Sequence, residues 1–103
     1  MLARPELDDV SKSLLEMAEY IEEHGWCQNQ VRDKKGQVCV AGAMHFSRNN
    51  LREGNNWSEA KARITKVTGC ECNIVQWNNT PGRTKEEVIN KLREAAYLGQ
   101  IQE

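Results

Sequence analysis

Leu7, Val10, Leu14, Met17 and Ile21 recur at steps of three, four, three and four. That spacing places five apolar side chains on one side of an α-helix and scatters them over both faces of a strand. The chain therefore opens with an amphipathic helix, and such a helix is stable in water only when its stripe is buried against other elements. Its ends are marked as well. Pro5 stands at or just outside the first turn, and Asp8 and Asp9 lie at the positive end of the helix dipole. Gly25 can take the left-handed conformation that closes a helix, and Trp26 then falls where a residue beyond the cap packs back on the last turn.

The same logic recurs twice. In NNWSEAKARITKVTG, Asn56 is the expected cap and Glu59, three residues on, closes a capping box; Trp57, Ala60, Ile64 and Val67 form the buried face and Gly69 stops the helix. In TPGRTKEEVINKLREAAYLG, Pro81-Gly82 is a turn, Thr84 caps, Glu87 closes the box, and Val88, Leu92, Ala95 and Leu98 face inward. The most apolar segment, residues 38–46, is short enough to fit a buried strand or a buried helix; Ala, Met and Phe outweigh two valines and favour a helix over about 39–48. NQVRDKKGQVCV reads as a polar loop turning at Lys35-Gly36. With no partner strand evident, CECNIVQW is expected to be a short helix or ordered loop. The predicted fold is all-α: a small single-domain bundle of four main helices across residues 1–103, with a short extra helix or strand near 71–77.

Charge is nearly balanced overall at −1 but unevenly spread. Residues 1–25 carry two basic and seven acidic side chains, and residues 26–66 carry eight basic and three acidic. The acidic first helix is expected to lie against the basic middle of the chain. No segment approaches the roughly 18 apolar residues of a membrane span, and the N-terminal stretch MLARPELDDV lacks a signal-peptide core. The expected location is cytoplasmic, and the expected state of the four cysteines is reduced.

Three arrangements of the cysteines and histidines bear on chemistry. His24 and Cys27, Cys39 and His45, and Cys70 and Cys72 are the pairs available to a metal, but no Cys-x2-Cys knuckle is present. A thiol nucleophile needs an oriented histidine; Cys27 with His45, held by Asn78 or Asn79, can be imagined, yet Cys27 follows the negative end of a helix, which does not activate a thiol. Paired carboxylates and a phosphate-binding glycine loop are both missing. The expectation is no metal, no cofactor and no catalytic set, with the cysteines packed as small apolar side chains. If a pocket exists, its expected lining is Trp26, Cys27, His45, Trp77, Asn78, Asn79 and Arg83, and Arg83, unfavourably placed for the dipole of the last helix, is expected to answer an anion or a carboxylate.

GWCQNQ, GQVCVAGAMHF and WNNTPGRTKEEVINKLREAA, together with the leading helix, resemble a family of small uncharacterised proteins from actinobacteria and their bacteriophages. The likeness runs from about residue 12 to 97. Family members often carry Asn-Asp after the tryptophan, where this chain has Asn78-Asn79, and Cys70-x-Cys72 is not typical of them. The resemblance implies no activity. The expected role is a protein-binding module, which the resemblance extends to a phage-encoded protein acting on a host protein, or a chain that self-associates as a homodimer. A small-molecule binding protein or enzyme using the residues above is one alternative. A nucleic-acid-binding protein using the basic 32–66 region is another.

Overall fold

The computed structural model describes residues 8–47, 56–70 and 73–98. They form an all-α bundle of four main helices and one shorter helix: α1 (Asp9–His24), α2 (Val40–Phe46), α3 (Asn56–Thr68), α4 (Ile74–Asn78) and α5 (Lys85–Tyr97). α1 packs most extensively on α5, α3 lies across α5, and α2 bridges α1 and α4. The described part of the α1 stripe, Val10, Leu14, Met17 and Ile21, is at most 6% exposed and meets Val88, Ile89, Leu92, Ala95 and Ala96 of α5 in one core. Leu7 and Pro5 lie outside the described residues.

The helix ends follow from named side chains. Asp8 is the α1 cap, its Oδ1 accepting from Ser11 N at 2.7 Å, and Gly25 at φ 99° returns its N–H to the Ile21 carbonyl. Arg63, on α3, crosses to this cap. Its Nη2 donates to Asp8 Oδ2 at 2.7 Å, its Nη1 to Ser11 Oγ at 2.9 Å and its Nε to Glu59 Oε2 at 2.9 Å. One basic residue of the middle region therefore does neutralise the acidic first helix, while Glu22 of α1 is paired with Arg93 of α5 instead.

Several expectations are corrected in detail. α3 begins at Asn56 itself, so the expected cap is the first residue of the helix, and the Glu59 carboxylate turns to Arg63. Thr84 does cap α5, accepting from Glu87 N at 3.1 Å, but Glu87 binds the Arg83 guanidinium at 2.8 Å rather than closing a box. A charged donor outcompetes a backbone amide for a carboxylate. The capping box that does form was not foreseen: Asn73 and Gln76 pair reciprocally at the start of α4. α2 is shorter than the expected 39–48, with Cys39 as its cap position and Ser47 after its last turn. Of the three tryptophans, Trp77 is in the core, while Trp26 and Trp57 are partly buried against it. Finally, Cys70 is disulfide-bonded, so the expectation of reduced thiols holds for Cys27 and Cys39 and not for Cys70. Cys72 lies outside the described residues.

Candidate functional site

One side chain ties the loop between α1 and α2 to the first turn of α2 and to the end of α4. Asn78, the last residue of α4, has no solvent exposure. Its Oδ1 accepts from Trp26 Nε1 at 2.7 Å and from Val40 N at 3.0 Å. Its Nδ2 donates to the Cys27 carbonyl at 3.2 Å and to Asn79 Oδ1 at 2.9 Å. An amide offers two donors and two acceptor sites, and all four are used. The contact to Val40 has a local meaning. Cys39 occupies the cap position of α2 without a capping hydrogen bond from its side chain. Asn78 supplies from 38 residues away an acceptor for the first amide of that helix.

Neighbouring groups extend the clasp. Asn79 Oδ1 also accepts from Asn29 N at 2.8 Å, and Asn29 is the described non-glycine residue with a positive φ, 69°. Gln28 Nε2 donates to the carbonyls of Asn78 and Thr80 at 3.0 and 2.9 Å. Arg83 lies with its guanidinium carbon 4.1 Å from the centre of the Trp77 ring and donates from Nε to the Trp77 carbonyl. Its charge is answered by Glu87. The Cys27 thiol donates to the carbonyls of Gln30 and Gln37 at 3.4 and 3.3 Å. Burial pushes this thiol above its ordinary range, and the nearby Asp33 and Cys39 push it the same way.

The structure thus gathers Trp26, Cys27, Asn78 and Asn79, with Arg83 stacked on the adjacent Trp77. His45 is elsewhere: it stands in the last turn of α2, at the opposite end from Val40, with its ring edge-on to Phe46. Among the described residues, no group of three or more His, Cys, Asp or Glu is placed to hold a metal. The polar atoms of the clasp are directed at one another, and no buried side-chain nitrogen or oxygen of the described residues lacks a partner.

Two surface features were not singled out in the sequence. A cleft of about 310 Å³ lies between α3 and α4, lined by Lys61, Ile64, Thr65, Thr68, Cys70, Asn73, Ile74 and Trp77. Only Trp77 of these was an expected lining residue, because the others are spread over two segments whose approach no spacing rule reveals. The second feature is an apolar pair on the α2 side. Val31 is 52% and Phe46 38% exposed, and the Arg32 guanidinium covers the Phe46 ring at 4.5 Å. A Cβ at Gly42 would collide with the Val31 carbonyl oxygen, so this loop lies directly on the helix face that Gly42 shares with Phe46, four residues on. Of the basic residues in the 32–66 region, Arg63 is buried and paired, and Arg48 and Arg52 lie outside the described residues.

None of the helices in the described residues is long and apolar enough to cross a membrane. Neither a curated protein nor a solved structure matches the chain. A profile described as Family of unknown function (DUF6197) matches residues 5–98, which covers the described helices and the loop that Asn78 holds. The chain belongs to that family.

Proposed function

We propose that this is a protein-binding module whose contact surface is the α2 side, centred on Val31 and Phe46, and that its partner presents an acidic segment carrying an apolar anchor. The observation that carries the reading is the exposure of both side chains beside Arg32. Charge complementarity argues for the partner's chemistry. Between residues 28 and 47, Arg32, Lys34 and Lys35 face only one acid, Asp33. That carboxylate is already bonded to the backbone amides of Lys35 and Gln37. The resemblance to small proteins of actinobacteria and their bacteriophages is consistent with a host protein as the partner, and a second copy of this chain would be an alternative occupant.

A displayed peptide library panned on the immobilised protein tests this. Enrichment of acidic peptides with an aromatic or aliphatic residue, weakened by salt and abolished by Val31→Glu, is the expected result. Peptides retained equally by the wild type and V31E, or no enrichment, would refute it. The cleft between α3 and α4 favours a second reading, a small-molecule site with an apolar floor of Ile64, Ile74 and Trp77. A fragment screen by NMR that shifts the Trp77 indole resonance would support that reading, and a screen that shifts no resonance of the cleft would remove it.

A further inference from the structure

The loop that Asn78 holds also brings two cysteines into register. Val38 N donates to the Gly25 carbonyl at 3.1 Å and Cys27 N to the Val38 carbonyl at 3.0 Å, which closes a parallel bridge between Trp26 and Val38. Gln37 Cγ lies 2.7 Å from where a Cβ on Gly25 would stand. The register is therefore residue 25 beside 37, 26 beside 38 and 27 beside 39. Trp26 and Val38 pack toward the core. Strand alternation turns Cys27 and Cys39 together to the opposite side. Paired backbones run about 4.8 Å apart, inside the roughly 4.4–6.8 Å between Cα atoms that a disulfide spans. Both thiols are free, Cys39 at 3% exposure and Cys27 more open.

We infer that Cys27 and Cys39 form a dithiol pair that oxidises to an intramolecular disulfide by exchange with a small-molecule disulfide. Cys27, the more accessible sulfur, loses its proton and attacks one sulfur of the small disulfide. A mixed disulfide forms on Cys27, and the first small thiolate leaves and takes up a proton. The Cys39 thiolate then attacks Cys27 Sγ and expels the second thiolate, which is protonated in turn. Two protein thiols are oxidised and one small disulfide is reduced to two thiols. Because burial and Asp33 push the Cys27 thiol up, the thiolate fraction and with it the exchange rate grow as pH rises. The product closes the segment that carries Val31 and Arg32, although the inference stands independently of what that segment binds.

The test is incubation of the native protein with oxidised glutathione at mildly alkaline pH, followed by alkylation, tryptic digestion and mass spectrometry. Cleavage after Lys12, Arg32, Lys35, Arg48, Lys66 and Arg83 leaves Cys27 and Cys39 on separate peptides, 13–32 and 36–48, with Cys70 and Cys72 both on a third, 67–83. The expected product joins 13–32 to 36–48, and forms faster at higher pH. In Cys39→Ser, glutathione should instead remain on Cys27. Recovery of both wild-type peptides in alkylated form, glutathione retained on wild-type Cys27, or a link from either thiol to 67–83 would overturn the pairing. The decisive reading is made on the wild-type chain, so a folding defect in the variant does not blunt it.

Discussion

Asn78 and Asn79 are adjacent and chemically alike, yet they do different work. Asn78 uses both donors and both acceptor sites. Asn78→Asp would remove the two donors and set a carboxylate against the Cys27 carbonyl and Asn79 Oδ1. Urea unfolding should show a loss of about 2–4 kcal/mol, from buried groups left without partners. Asn79 contributes only its oxygen, to Asn78 Nδ2 and Asn29 N. Asn79→Asp should therefore stay within about 0.5 kcal/mol of the wild type in the same experiment. Gly42 is constrained in another way. A methyl there meets a backbone carbonyl that cannot rotate aside, so Gly42→Ala should lower stability by about 1–3 kcal/mol on the same measurement. Trp77, Asn78 and Arg83 stand out in the sequence as residue types. Which residue Asn78 would bond does not, because hydrogen bonds spanning some 50 residues leave no periodic trace.

Helices α1, α3 and α5 were legible because each repeats an apolar face over three turns or more and carries a stop or cap in the chain itself. α2 and α4 are short, seven and five residues, and too brief to repeat an apolar face; α2 takes its first acceptor from Asn78, whereas α4 carries its own Asn73–Gln76 capping box. The cap of α1 carries a pH dependence. Hydrogen bonds from Arg63 hold the Asp8 carboxyl down to about 2, with the Ser11 amide acting in the same direction against a smaller effect of burial. A carboxyl whose folded value lies below its unfolded value adds stability above the unfolded value, near 3.9. That contribution disappears as pH falls from there through about 2. The side chain is 52% exposed, so solvent screening limits the effect to about 1 kcal/mol or less. Asp8→Asn keeps a good cap while removing the charge. Its urea midpoint should lie below that of the wild type at neutral pH, with the gap closing between about pH 4 and 2.

At the scale of the molecule, the α1–α5 contact is the main beam and the charges along its edge add little. Leu92 is 1% exposed in the core, whereas Arg93 next to it holds Glu22 at the surface. Leu92→Ala should lower stability by about 2–5 kcal/mol, and Arg93→Ala by less than about 1, as read from thermal or urea unfolding. The segregation of charge in the sequence pointed to α1 meeting the basic middle, and Arg63 fulfils that in part. It could not indicate that Glu22 finds its partner 71 residues away on the final helix.

The link from Asn78 to Val40 also has a consequence in time. A seven-residue helix is too short to persist alone, so α2 depends on its packing against α1 and α4. Opening α4 releases the Trp26 indole and the Val40 amide in one event, because both share the same oxygen. In native-state hydrogen exchange the two protons should therefore exchange with one common free energy of opening, as a cooperative unit joining residues far apart in the chain. Separate free energies for the two sites would show that the loop and the helix open independently.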